Sequence, residues 1–200
     1  MSQSEHPLSA THHTKFGKRL RNINDREHIP SRWLETPIEQ FIRAHNFDEP
    51  VKAAKSPQLL IVSCIEYRFR PEVPAKFAYV MRTAGGKISQ LPGAEFALSY
   101  ILANGVRHIA LVGHNDCGMT KVHEFKPKLV AALIEQGWDP AHAGVFIEDN
   151  AERFAMDDEI DSLEREFNRL KALFKNVEIA PLFISLSSTR LHIPKWYFTE

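Results

Sequence analysis

The two cysteines of this 200-residue chain are its side chains best suited to metal chemistry. Cys64 ends the apolar run LLIVSC, and Cys117 lies in VGHNDCGM, three residues after His114. Two thiolates and one imidazole are ligands that Zn²⁺ prefers in a tetrahedral arrangement, and three protein ligands leave a fourth position open for water or substrate. The chain has no third cysteine for a closed structural site. The set therefore predicts a catalytic zinc site.

Other roles for these and neighbouring residues remain open. A buried cysteine is often only a small core hydrophobe, and His108 or His123 as a fourth ligand would make a closed site. His108 begins its predicted strand, so it lies at the opposite end of that strand from the predicted site. His123 is either a solvent or interface histidine or a proton shuttle. Cys64 and Arg70 have the spacing of a cysteine-phosphatase loop, but the intervening IEYRF lacks the glycines that such an anion-binding loop needs. Asp116 is expected to cap the helix that follows.

The elements that would position these residues follow from hydrophobic pattern. Strands are predicted over 58–64, 77–82, 108–112 and 180–186. Helices are predicted over 32–46 with Ser31 as cap, 95–104, 119–136 with a break or kink at Pro127, and 145–174. The strands are apolar throughout, as in parallel sheets covered on both faces. This alternation predicts an α/β fold with a mainly parallel sheet core flanked by helices. Ligands bind at the carboxyl ends of such strands, where Cys64 can meet His114 and Cys117.

Composition limits the partners and the compartment. Lys+Arg and Asp+Glu both number 25, so the overall charge gives no argument for nucleic acid or an anionic membrane, and neither is predicted as a partner. No apolar run approaches the ~20 residues of a membrane span. Residues 1–30 are predicted to be a flexible segment and residues 31–200 a single α/β zinc-binding domain. The N-terminus lacks a secretory signal and two cysteines cannot build a disulfide framework, so a cytoplasmic protein is predicted. The basic residues near the start leave an organelle transit peptide as an alternative.

Three motifs, taken in order, resemble those of the β-class carbonic anhydrases. The segments CIEYR (64–68), RTAGG (82–86) and HNDCG (114–118) stand where that family carries C-x-D-x-R, an R-N-A-G-N-like loop and H-x-x-C-G. The resemblance runs from about residue 31 to residue 186. It implies zinc bound by Cys64, His114 and Cys117. It also implies an N-terminal helical arm that embraces a partner subunit, in a homodimer or a higher multiple of dimers.

The resemblance implies a function as well. The expected activity is that of a zinc lyase, a carbonate dehydratase that interconverts CO2 and bicarbonate through a zinc-bound hydroxide. Glu66 and Arg68 stand where the family has its catalytic aspartate and the arginine that holds it, so they are the expected catalytic pair. Gly85, Gly86 and Gly118 are expected to line the substrate pocket and to allow close approach of the backbone.

The chain departs from the family pattern in the pocket and not at the metal ligands. Thr83 and Gly86 replace the loop asparagines, and Glu66 is one methylene longer than aspartate. Glu66 is expected to accept the proton of the hydroxide, to coordinate zinc and silence the site, or to reshape the pocket for a related heterocumulene such as carbonyl sulfide or carbon disulfide. A non-catalytic zinc-binding homologue, or a plain ion pair between Glu66 and Arg68, are further alternatives.

Overall fold

Six strands form one mixed sheet in the computed structural model, which describes residues 16–199. The order across the sheet is β1-β6-β5-β4-β2-β3. Strands β3, β2, β4 and β5 pair in parallel, whereas β6 and β1 pair antiparallel at one edge. The strands are β1 (Leu20–Asn22), β2 (Leu59–Cys64), β3 (Ala78–Thr83), β4 (His108–His114), β5 (Glu178–Ile184) and β6 (Leu191–Pro194). The prediction of a mainly parallel α/β sheet is confirmed.

Five α-helices whose bounds lie within residues 16–199 flank this sheet. They are α1 (Pro37–Phe47), α2 (Ala94–Ala103), α3 (Val122–Glu135), α4 (Pro140–Phe154) and α5 (Glu159–Leu173). Short 3₁₀ turns cover Ala84–Gly86 and Gly118–Lys121, both next to the predicted site. Among the helices of residues 16–199, none combines the length and the apolar character that crossing a bilayer requires.

The central strands β2 and β4 position the site. All six residues of β2 are buried, and the burial of each Leu, Ile or Val side chain stabilises the fold by roughly 1.5–3 kcal/mol. The chain runs from β2 to β3 on one side and from β4 to β5 on the other. The strand order therefore reverses between β2 and β4, which is where open α/β sheets bind ligands. Cys64 and His114 are the last residues of these two strands.

The single long helix predicted over 145–174 is wrong. Two helices, α4 and α5, replace it, and residues 155–158 separate them. The cause is Asp158, whose carboxylate accepts hydrogen bonds from the main-chain N–H groups of Ile160 (2.9 Å) and Asp161 (3.1 Å). A side-chain cap of this kind begins a new helix. Of the break or kink predicted at Pro127, the break is wrong, because α3 runs through this residue.

The N-terminal part also differs from the prediction. Helix α1 begins at Pro37 and not after Ser31, because the Thr36 hydroxyl caps it and proline suits the first helical position. Residues 16–30, predicted to be flexible, contribute strand β1 and bury the side chain of Ile23. Residues 1–15 of the predicted flexible segment lie outside the described residues.

Candidate metal centre

Cys64, His114 and Cys117 come together at the carboxyl ends of β2 and β4. The two Sγ atoms are 3.9 Å apart, and the potential ligand atoms of the three side chains all lie within 4.8 Å of one another. All three side chains are buried. Within residues 16–199, no other group of three such side chains has this geometry.

The loop after β4 turns Cys117 back toward Cys64. Asp116 adopts a left-handed backbone conformation, with φ of 54°, which reverses the chain between His114 and Cys117. The main-chain carbonyl of Cys117 then accepts hydrogen bonds from the N–H and the hydroxyl of Thr120. This turn fixes the position of the second thiol relative to the strand that carries the imidazole.

The orientation of His114 leaves one ring nitrogen available as a ligand. Its Nδ1 lies 2.9 Å from the main-chain oxygen of Asn115, and because a carbonyl only accepts, Nδ1 carries the proton. Nε2 therefore has a free lone pair, and it is buried with no hydrogen-bond partner in the described chain. A carbonyl that fixes the tautomer in this way is typical of a metal-binding histidine. The Asn115 side chain is itself held, because its Oδ1 accepts a hydrogen bond from Leu186 N at 2.8 Å.

The two thiols influence each other strongly. The hydrogen bond between them lowers the pKa of Cys64 and raises the pKa of Cys117. One thiol ionises readily, but ionising the second would place two negative charges together in a buried site. A divalent cation between the sulfurs removes that penalty, because metal binding favours the deprotonated ligands. The donor set and the unpartnered Nε2 therefore fit zinc.

A carboxylate held by an arginine lies beside His114, one of the three potential ligands. Arg68 Nε and Nη2 donate to the two oxygens of Glu66, each at 2.7 Å, and Arg68 N donates to Glu66 at 2.8 Å. These hydrogen bonds lower the pKa of Glu66 to about 2, although burial opposes them. Glu66 Oε2 is 4.0 Å from His114 Nδ1. The carboxylate is thus ionised next to His114, with both of its oxygens bound by Arg68.

Asp116 holds the other side of Arg68. Its Oδ2 accepts a hydrogen bond from Arg68 Nη1 at 2.9 Å, and its main-chain oxygen accepts one from Nη2 at 3.2 Å. The expectation that Asp116 caps the following helix is wrong, because the 3₁₀ turn after it has no side-chain cap. Its left-handed backbone turns the carboxylate toward the arginine. Because aspartate is common at helix caps, the sequence alone favoured a capping role over this pairing with Arg68.

Arg82 fixes the backbone around Glu66. Its guanidinium donates to the main-chain oxygens of Cys64 (3.2 Å), Glu66 (3.0 Å) and Phe69 (2.8 Å). In the sequence Arg82 stands out only as the first residue of the RTAGG motif. The structure shows that it ties strand β3 to the segment that carries the first cysteine and the carboxylate.

Of the three glycines expected in the pocket, two have a steric reason to be glycine. Gly85 and Gly86 both have positive φ, 65° and 72°, a region that side chains strongly disfavour. A Cβ on Gly85 would also lie 2.5 Å from Met156 Cε, whereas one on Gly86 would meet nothing closer than Cys64 N at 3.6 Å. A Cβ on Gly118 would meet nothing within 4 Å, so no close approach requires glycine there.

Two methionines pack against the cysteines. Met156 and Met119 form a small apolar cluster with Cys64 and Cys117. Met156 lies in the segment between α4 and α5. The hydrophobic pattern predicts one continuous helix there, so it gives no sign that Met156 reaches the cysteines. A cavity of about 20 Å³ beside Cys117 is lined in part by Met156 and His114, and it has room for about one water molecule.

His108 and His123, which the sequence offered as further ligands, lie away from the cluster. His108 begins β4, at the opposite end of the strand from His114. His123 lies near the start of α3 with its side chain 50% exposed, and its Nδ1 is 3.8 Å from Glu152. Neither belongs to the group of potential metal ligands.

Comparison with known proteins finds likeness in structure alone. No protein-family model matches the chain, and no curated protein matches its sequence. A β-carbonic anhydrase from Trichomonas vaginalis is 26% identical over 83% of this chain and 98% of its own, with a TM-score of 0.58. A carbonic anhydrase from Streptococcus mutans is 18% identical over 79% of this chain and 97% of its own, with a TM-score of 0.52. A carbon disulfide hydrolase aligns at 19% identity over 79% of this chain and 86% of its own, with a TM-score of 0.43.

Proposed function

Because this chain has the fold of the β-class carbonic anhydrases, we propose that it interconverts carbon dioxide and bicarbonate at a zinc ion bound by Cys64, His114 and Cys117. The observation that carries the proposal is the meeting of these three ligands beside a carboxylate held by arginine. Such a site combines a metal ligand set that keeps one position open with a fixed hydrogen-bond acceptor.

The metal and the carboxylate have complementary tasks. Zinc bound by three protein ligands is a Lewis acid that makes water nucleophilic near neutral pH. Glu66 is ionised and can only accept a hydrogen bond, so it would orient the O–H of the reacting water and leave an oxygen lone pair directed at the substrate. Arg68 binds both oxygens of Glu66 and thereby supports this role over coordination of the metal by the carboxylate.

The surroundings of the ligands suit a small neutral substrate. Met119 and Met156 present apolar thioether side chains to the two cysteines, and the ligands themselves are buried. An apolar site of this kind favours carbon dioxide over water and strengthens the electrostatic effect of the Glu66 carboxylate. The positive-φ turn at Gly85 brings backbone in place of a side chain against Met156.

Stopped-flow hydration of carbon dioxide by zinc-loaded protein tests the proposal. The protein is expected to accelerate hydration above buffer, and Glu66→Gln is expected to lower the rate by about 10²-fold, within the range of a single positioned proton acceptor. The matched control is Glu39→Gln, because Glu39 is also buried and also accepts a hydrogen bond from an arginine, Arg26, at 2.6 Å. Glu39→Gln is expected to leave the rate unchanged.

A rate equal to that of buffer alone from about pH 6 to 9 would overturn the proposal, since zinc sites of this class generate their nucleophile near neutral pH. The same protein is then tested for sulfide release from carbonyl sulfide and carbon disulfide. Sulfide release without hydration of carbon dioxide would replace the proposed activity with that of a hydrolase. Absence of both activities in zinc-loaded protein would leave a binding role for the metal.

We also propose that the protein forms a homodimer or a higher multiple of dimers. Strand β3 is at one edge of the sheet, and its Val80 side chain is about half exposed. Ile65 and Tyr67, which follow strand β2, are also exposed. An edge strand next to exposed apolar side chains favours pairing with another chain. Light scattering coupled to gel filtration is expected to give at least twice the mass of one chain, and a monomer would contradict the proposal.

A further inference from the structure

The metal centre contains more sulfur than its two thiols. The chain has two cysteines and four methionines, and both cysteines form one cluster with two of the methionines, Met119 and Met156. Within residues 16–199, the apolar side chains that form this cluster all carry sulfur, and the main hydrophobic core is a separate cluster. Cys64, Cys117, Met119 and Met156 are called the sulfur cluster below.

The two methionines of the sulfur cluster end beside the same glycine. A Cβ placed on Gly85 would lie 2.5 Å from Met156 Cε and 3.6 Å from Met119 Cγ. Both of these carbon atoms are bonded to Sδ, so both thioether sulfurs lie next to Gly85. The main-chain N–H of Gly85 interacts with the sulfur of Cys64, and that of Met119 interacts with the sulfur of Cys117. The turn at Gly85 therefore brings the thioethers and the thiols together.

A space of the size of a single ion adjoins these sulfur atoms. The cavity of about 20 Å³ beside Cys117 is also lined by Gly85 and Met156, and it has room for about one water molecule. A thioether has no proton to donate and accepts hydrogen bonds only weakly, so Met156 offers a water molecule little in this space. Its sulfur is better suited to a soft metal ion, which thiolate and thioether ligands both favour.

We propose that the sulfur cluster binds Cu(I), a soft monovalent cation, through the thiolates of Cys64 and Cys117 and the thioethers of Met119 and Met156. Zinc takes imidazole nitrogen readily, whereas sulfur ligands of both kinds select Cu(I). Copper would therefore use the methionines in place of His114. The two metals share the cysteines, so they compete for the site. This inference does not rest on hydration of carbon dioxide, because it concerns metal binding by sulfur.

Anaerobic titration of the full chain with Cu(I) against bicinchoninate, a competing Cu(I) chelator, tests the inference. Copper is supplied already reduced, so no redox step is involved. Zinc-loaded protein is expected to release its zinc as copper binds. Met119→Leu and Met156→Leu keep the apolar volume but each removes one sulfur. Each is expected to weaken Cu(I) binding by about tenfold, the lower end of the loss when a metal site loses a partner, and to leave the zinc affinity unchanged.

Two further variants separate copper from zinc. Met81→Leu is the matched control, because Met81 is a partly buried methionine of strand β3 that packs against the main core. It is expected to bind both metals as the unmodified protein does. His114→Gln is expected to lose zinc and to keep copper. These outcomes depend on metal binding alone, so protein that shows them without hydrating carbon dioxide would support this inference and overturn the proposed activity.

X-ray absorption at the copper edge of the unmodified protein completes the experiment and needs no variant. Sulfur alone is expected among the atoms bound to copper. Histidine nitrogen bound to copper, loss of copper binding from folded His114→Gln, or unchanged copper affinity in Met119→Leu or Met156→Leu would each overturn the inference.

Discussion

Replacing Arg68 by lysine keeps the positive charge but removes the planar fork that holds Glu66. Arg68 Nε and Nη2 each bond to a Glu66 oxygen at 2.7 Å, and Nη1 bonds to Asp116 at 2.9 Å. A lysine ammonium can replace one of these contacts but not the bidentate geometry. A hydrogen bond to a charged group contributes about 1.5–3 kcal/mol. The Glu66 side chain is 7% exposed but that of Arg68 is 38% exposed, so solvent screening reduces the contribution. The expected loss in the free energy of unfolding is about 2 kcal/mol.

The same substitution is expected to reduce catalysis. Without the fork, the Glu66 carboxylate is free to leave the position in which it would orient the reacting water. A displacement of about 1 Å in such a group can lower the rate by about 10²-fold, and Arg68→Lys is expected to lower the hydration rate of carbon dioxide by that order. Zinc content is measured in each sample, so that a lower rate is not confused with loss of metal.

Urea unfolding and stopped-flow hydration are the assays, and Arg43→Lys is the matched control. The Arg43 side chain is 36% exposed, close to that of Arg68; it pairs with Glu49, which is 46% exposed, and its Nη1 lies 3.5 Å from the buried Glu39. Exposed ion pairs contribute about 0.2–1 kcal/mol, and Glu39 keeps its hydrogen bond from Arg26 at 2.6 Å. Arg43→Lys is therefore expected to change stability by less than about 1 kcal/mol and to leave the hydration rate unchanged. Arg68→Lys that behaves like this control in both assays would refute the reasoning.

Two further predictions concern backbone strain and pH. Gly85→Ala and Gly86→Ala each force a side chain into a positive-φ conformation, at a cost of about 1–2 kcal/mol in the free energy of unfolding. Only Gly85→Ala also displaces Met156, so it alone is expected to weaken hydration of carbon dioxide, and equal rates for the two variants would contradict the packing. His45 is buried, its Nε2 accepts a hydrogen bond from Glu72 N at 3.1 Å, and burial lowers its pKa. The unfolded chain therefore binds this proton more readily, and stability is expected to fall as the pH drops below about 6.5. His45→Gln is expected to flatten this loss in urea melts between about pH 7 and 5, and an unchanged slope would show that His45 does not cause it.

The sequence predicted which residues meet in the metal centre because strong local signals surround them. Cys64 ends an apolar run long enough for a buried strand, and His114 ends another. In a parallel sheet those ends lie at one edge, so convergence follows from topology. The pairing of Glu66 with Arg68 was readable from their alternate positions, although the catalytic role of the pair stays a prediction.

Other contacts of the site depend on tertiary structure that local patterns do not encode. Met156 reaches the cysteines because α4 ends at Phe154 and Asp158 begins α5, although the apolar spacing continues across that break. Asp116 pairs with Arg68 because of its left-handed backbone. Strand β1 was missed because three residues within a polar segment give no strand signal, and its pairing with β6 depends on distant residues.

Zinc analysis combined with X-ray absorption at the zinc edge tests the central claim most directly. The account predicts one zinc ion per chain, with two sulfur ligands at about 2.3 Å and nitrogen at about 2.0 Å. Cys117→Ser is expected to remove one sulfur from that shell or to abolish binding. Protein without stoichiometric zinc, or a zinc ion surrounded by nitrogen and oxygen alone, would contradict the claim that Cys64, His114 and Cys117 bind the metal together.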